Sequence, residues 1–110
     1  GVECTGINVG GNEMARVVVI ARVEAKSGKG DELMPLLQAQ IPPTRQEKGC
    51  INYDLLRDRA NPDLFFFHET WESDADLENH IAAPHIQGSR EKRAPFVDSA
   101  VVHRLDKIEP

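Results

Sequence analysis

Glu69, Trp71 and His80 have the types and spacing to do acid–base chemistry on a small molecule. Glu69 and Trp71 stand two apart in "LFFFHETWES", residues 64–73, so on a strand they share a face with Phe65 and Phe67. Leu64, Phe66, His68 and Thr70 take the other face. A helix that starts after Ser73 and folds back over this strand advances about 10 Å by His80, the length of about three strand residues, and returns the imidazole above Glu69. Carboxylate, imidazole and indole then line one small cavity, with Phe67 as apolar wall. Apolar surroundings raise the pKa of a carboxylate and an ionised partner raises that of a histidine, so the pair can supply a base near neutral pH. From spacing alone, a core polar pair in which His80 fastens helix to strand fits at least as well as catalysis. Asn52 and Tyr53 are adjacent on another strand and face opposite ways, so only one of them can join the cavity.

The elements that must position these groups follow from pattern. "RVVVIARVE", residues 16–24, is dense in β-branched side chains and ends at "AKSGKG", a strand closed by a turn. From Asp31 the spacing of Leu33, Leu36, Leu37 and Ile41 predicts a helix with one apolar stripe, which Pro42 and Pro43 should kink or break. "CINYDLLRD" and "LFFFHETWE" predict an antiparallel hairpin around Asn61-Pro62-Asp63. Ser73 three residues before Asp76 marks the start of a second helix, with Leu77, His80 and Ile81 on one face and an interruption at Pro84. "VDSAVVHRLDKI" after Pro95 alternates as a last strand. The order β-α-β-β-α-β is a split βαβ arrangement of the α+β class: a ferredoxin-like, four-stranded antiparallel sheet with both helices on one face. The other face still carries Leu64 and Phe66, and the chain has no element left to cover them. A homodimer packed sheet to sheet is the economical solution.

With 110 residues, 40% hydrophobic and 28% charged, the chain has the composition of one globular domain. Its net charge of −5 gives no reason to expect nucleic acid or an anionic membrane as partner. No apolar run reaches the roughly 20 residues of a membrane span, and residues 1–14 lack the layout of a secretory signal, so a cytoplasmic location is expected. Residues 1–14 read as a flexible extension before a domain of residues 15–110. Cys4 and Cys50 form no C-x-x-C pair and point to no thiol chemistry. His80 and His85 are five apart with Pro84 between them, off one helical face, so no metal site is expected.

"VVVIARVEAKSGKGDEL", "EKGCINYDLL" and "FHETWESDADLENHIAAPH" together resemble the antibiotic biosynthesis monooxygenase family of dimeric α+β barrel proteins, over residues 16–107. The resemblance implies a homodimer and a functional pocket at Tyr53, Glu69, Trp71 and His80. Family members include cofactor-independent oxygenases of polycyclic phenols, quinol oxygenases, a sugar-phosphate isomerase and haem-degrading enzymes. Ala21 and Arg90 stand where the haem-degrading relatives carry an asparagine and a haem-ligating histidine, which disfavours haem. The expectation is therefore a monooxygenase that oxidises a small aromatic substrate, an electron-rich phenol or quinol, with O2 and no cofactor. His80 and Glu69 would be catalytic, and Trp71, Tyr53 or Asn52, and Phe67 would bind substrate. The alternatives are an isomerase using the same pocket and a dimeric binding protein without catalysis.

Overall fold

The computed structural model describes residues 15–110; the expected extension over residues 1–14, with Cys4, lies outside them. Strand β1 (Val17–Ala25) is followed by helices α1 (Gly30–Gln38) and α2 (Ile41–Arg45) and by strands β2 (Cys50–Arg57) and β3 (Leu64–Trp71). Helices α3 (Asp74–Ala82) and α4 (Pro84–Arg93), a 3₁₀ turn (Ala94–Phe96) and strand β4 (Val97–Leu105) complete the order. The strands form one sheet in the order β2-β3-β1-β4, with every neighbouring pair antiparallel. This is the expected α+β, ferredoxin-like arrangement.

The β-branched run of β1 alternates as a sheet with one covered face requires. Val17, Val19, Ala21, Val23 and Ala25 are buried, while Val18, Ile20, Arg22 and Glu24 are half-buried. Leu33 and Leu37 of α1, Leu77 of α3 and Ile86 of α4 close over the buried set together with Phe65, Phe67 and Trp71. Each expected helix is two pieces. Proline lacks the amide hydrogen that an inner turn needs and disfavours the helical region for the residue before it. Accordingly α1 stops at Gln38 and the chain restarts as α2 with prolines in its first turn, while Ala83 is extended (φ −61°, ψ 138°) ahead of Pro84. The expected last strand, residues 97–108, pairs only as far as Leu105.

Local chemistry fixes how the elements enter the site. Ser73 Oγ accepts the Asp76 backbone N–H at 3.2 Å, the cap expected from Ser73 and Asp76, and so sets where α3 begins. Asp63, in the hairpin loop, accepts the N–H groups of Gly28 and Gly30 at 2.9 and 2.8 Å and ties the loop to the start of α1. Those two bonds hold its carboxyl below the usual range. A Cβ on Gly30 would run into the Pro62 carbonyl, so only glycine fits there. Gly49, with φ +83°, turns the chain from the α2 loop into β2, and a Cβ there would meet the Asp76 carboxylate.

Candidate functional site

The helix-covered face gathers most of the residues singled out in the sequence. Tyr53 lies opposite Glu69 across the β2–β3 pair, and Phe67 and Trp71 flank Glu69 along β3. From α3 the His80 ring packs on Trp71, with centroids 4.7 Å apart and planes 33° apart, and edge-on to Tyr53 at 5.3 Å. Tyr53 in turn tilts against Phe67 at 4.9 Å. The helix thus returns His80 over the strand, with its ring against Trp71 and Tyr53 rather than above Glu69.

The hydrogen bonds differ from the expected pairing. Glu69 Oε1 accepts the Trp71 indole N–H at 2.9 Å, and no hydrogen bond joins Glu69 to His80 among the described residues. His80 Nδ1 instead meets Glu47 Oε2 at 2.9 Å. Two residues along one strand face are near enough for the indole to claim the carboxylate, whereas Glu47 reaches the imidazole from the turn between α2 and β2. His85 Nε2 meets the same Glu47 oxygen at 2.8 Å. On one continuous helix, residues five apart would point roughly 140° away from each other. The break at Pro84 removes that constraint, so both histidines reach one carboxylate oxygen although their spacing puts them off a single helical face. The ligand atoms of Glu47, His80 and His85 lie within 4.8 Å of one another, a donor set that can hold a metal ion.

A cavity of about 80 Å³ opens beside His80 and is lined by Tyr53, Phe67, Glu69, His80, Arg90 and Arg93, among others. Ala100 and Val102 of the edge strand β4 also line it, and both are exposed, so the cavity opens toward that edge. Trp71 backs His80 rather than lining the cavity. Asn52 lies on the opposite face, where its amide donates to Asp54 Oδ2 and to the His68 carbonyl, both at 3.0 Å, so Tyr53 takes the pocket side. A bulge between Cys50 and Asn52 shifts the far end of β2, but the register counted from the hairpin loop already puts Tyr53 opposite Glu69.

Burial tunes each group. It pushes the Glu69 carboxyl up to about 7; the indole bond opposes this and the nearby Glu47 charge adds to it. Burial likewise holds His80 below its ordinary value, against the pull of Glu47, which favours the neutral ring. Burial, then the charge of Glu69, pushes the Tyr53 hydroxyl well above the usual phenol range and keeps it protonated. Gln40 Nε2 donates to the Tyr53 oxygen at 2.9 Å. The orientation of that amide is fixed at its other end, where Gln40 Oε1 accepts from Ser89 Oγ at 2.6 Å and Arg93 Nη1 at 2.7 Å, since a guanidinium can only donate.

Sequence reasoning did not single out Glu47, Gln40 or Arg93. Gln40 left a signal, because it stands seven residues after Leu33 on the apolar stripe where a polar side chain needs a reason. Glu47 left none, because a turn has no periodicity to violate.

Residues 16–92 match the antibiotic biosynthesis monooxygenase family, about seven-tenths of the chain. The chain belongs to that family. A relative from Mycobacterium tuberculosis with a provisional monooxygenase name is 39% identical over 74 residues, covering 67% of this chain and 72% of the relative. An uncharacterized protein of Synechocystis is 34% identical over 92 residues, 84% of this chain. The match spans only 63% of that longer relative, less than two thirds of its length. Among solved structures, a Pseudomonas aeruginosa protein superposes with a TM-score of 0.83 at 29% identity, covering 88% of this chain and 98% of the other. A Shewanella oneidensis protein reaches 0.79 at 32% identity, covering 84% and 90%. These likenesses bear out the family and ferredoxin-like fold expected from the sequence. Among the described residues no helix is long and apolar enough to cross a membrane.

Proposed function

We propose that the chain is a cofactor-independent monooxygenase that converts a small electron-rich phenol or quinol with O2, acting as a homodimer. The observation that carries this reading is the state of His80. Burial lowers its pKa below the ordinary value, Nδ1 faces Glu47 Oε2 at 2.9 Å, and the ring lines the cavity with Phe67, Tyr53 and Glu69 while Glu47 does not, so Nε2 is the ring nitrogen left for a substrate. A neutral imidazole that donates from Nδ1 to a carboxylate carries its lone pair on Nε2 and is a base oriented by its partner.

Ground-state O2 is a triplet and reacts slowly with paired-electron molecules, so the substrate must itself surrender one electron, and deprotonation makes a phenol such a donor. His80 Nε2 takes the phenolic proton, and Glu47, rather than Glu69, stabilises the imidazolium. The phenolate passes one electron to O2, and the phenoxyl radical and superoxide combine at a ring carbon. The bound peroxide takes the proton back from His80. Breaking the O–O bond with loss of the ring hydrogen then releases water and leaves a carbonyl. The balance is phenol plus O2 to quinone plus water, with both electron pairs from the substrate. The Tyr53 hydroxyl and the protonated fraction of Glu69 are the donors available to the developing oxygen anions.

The cavity, about 80 Å³, is well below the roughly 300 Å³ at which drug-sized ligand pockets begin, which favours a single ring entering from the β4 edge over a three-ring substrate. Arg90 and Arg93 beside the same acid–base groups favour one alternative, proton transfer on an anionic hydroxyketone such as a phosphorylated sugar. An oxygen electrode with chelator-treated, flavin-free protein decides between them. Oxygen uptake above a heat-denatured control is expected with single-ring quinols before anthrones. Isomerisation of sugar phosphates without oxygen uptake would replace this reading.

The dimer is proposed through the sheet face without helices. Val101 and Leu105 of β4 are 44% and 42% exposed there and Leu56 of β2 is 52% exposed, around half-buried Phe66 and Ile20. Covering each large apolar side chain contributes roughly 1.5 to 3 kcal/mol, and several together offset an association cost of about 4 to 15 kcal/mol. Sedimentation at micromolar concentration should give twice 12.2 kDa, and a clean monomer would overturn it.

A further inference from the structure

We propose that Glu47 Oε2, His80 Nδ1 and His85 Nε2 form a site for one divalent transition-metal ion of the zinc class, and that filling it withdraws His80 as a base. The second clause rests on the role proposed for His80 above; the first does not. Three separate elements, the turn after α2, α3 and α4, bring these atoms within 4.8 Å of one another. Both imidazoles reach the same carboxylate oxygen, at 2.9 and 2.8 Å. Tetrahedral zinc with bonds of about 2.0 to 2.1 Å separates its ligands by about 3.3 Å, so those two contacts need to open by only about half an ångström. Two imidazole nitrogens and one carboxylate suit zinc and its neighbours in the first transition row, whereas magnesium and calcium favour all-oxygen shells.

Access runs from outside. The His85 and Glu47 side chains are 29% and 18% exposed while that of His80 is 6% exposed, so an ion arrives from the surface side and can keep a water as its fourth ligand. His85 Nδ1 is buried without a hydrogen-bond partner among the described residues. An imidazole ligand is usually anchored through its second nitrogen, so this ligand is loosely held and the ion should exchange rather than act as a permanent structural part.

The consequence for His80 follows from its two nitrogens. Without metal, Nδ1–H donates to Glu47 and Nε2 carries the lone pair. With metal on Nδ1, the neutral ring must carry its hydrogen on Nε2. No net proton is lost, but the nitrogen that served as acceptor becomes a donor.

The test uses the chelator-stripped full chain and zinc chloride, with cobalt chloride as the coloured substitute. Calorimetry should give one zinc per chain, and cobalt should show the visible absorption of a four-coordinate nitrogen–oxygen site. His85→Ala and Glu47→Ala should each weaken zinc binding at least tenfold with unchanged circular dichroism, and His103→Ala, on the opposite face of the sheet, should leave it unchanged. Absence of binding, undiminished binding in the His85→Ala chain, or loss in the His103→Ala chain overturns the site. Long-range ¹⁵N–¹H spectra of His80 read the tautomer without any turnover: Nδ1–H before zinc and Nε2–H after it is expected, and no change on saturation overturns the second clause. Because neither readout needs a substrate, failure to oxidise phenols and failure to bind zinc remain separate results.

Discussion

On the helix-covered face of β3, Phe65, Phe67, Glu69 and Trp71 are all buried, whereas on the open face of the same strand Leu64, Phe66 and Thr70 are half-buried and His68 is exposed. The two sets alternate in sequence and draw on the same residue types, so what separates them is coverage. Under the helices a carboxyl loses its hydration and is pushed to about 7, and burial lowers the pKa of a histidine that Glu47 orients. On the open face His68 and His103 flank Ile20 across β1. Chemistry is therefore assigned to the first face and association to the second.

Substitutions on the two faces should separate accordingly. His80→Ala should have the largest effect, lowering kcat by about 10² to 10⁴, the usual range for losing a general base, with the dimer mass unchanged. Equal turnover in the folded variant would move the base elsewhere, with Glu69 the next candidate. Glu69→Gln tests burial itself. The folded pKa is raised from 4.5 to about 7, so the wild-type carboxyl carries no penalty below pH 4.5 and loses stability as pH rises through 7, on the order of 3 kcal/mol in all. Denaturant unfolding at pH 4.5 and pH 8 should show that fall in wild type and a flatter profile in the variant; parallel profiles would mean that Glu69 is better solvated than its burial implies.

Phe66→Asp strikes the open face. It should weaken self-association at least tenfold by sedimentation while the covered face stays packed, and an undisturbed dimer would shift the interface away from Phe66. Glu47→Gln should lower kcat about tenfold with little change in KM, since it orients His80 without lining the cavity; a rise in KM alone would make Glu47 a binding residue. Asn52→Ala should change turnover by less than about twofold. A large loss there would break the division between faces.

The parts legible in the sequence were those governed by local periodicity. The β-branched alternation of β1, the Ser73 cap and the face shared by Phe67, Glu69 and Trp71 are each set within a few residues, and together they led to the fold and to most of the pocket. Three features needed the tertiary structure. The choice between Asn52 and Tyr53 depends on how residues 58–63 close the hairpin, because a slip of one residue exchanges the faces. Glu47 lies in a turn, and its partner His80 is 33 residues away. His85 was judged by the geometry of a continuous helix, yet the same Pro84 that spoiled that geometry lets it reach Glu47.

Trp71 is the only tryptophan in the chain, and two groups of the site touch it: its indole donates to Glu69, and its ring lies against that of His80. A protonated imidazole quenches a stacked indole, and a carboxyl that gains or loses charge beside the indole N–H shifts its emission. The protein therefore carries its own reporter. Intrinsic fluorescence, excited at the red edge where tyrosine is silent, should follow the ionisation of Glu69 and His80 without a label, so the state of the pocket can be watched in unmodified protein before any substrate is known.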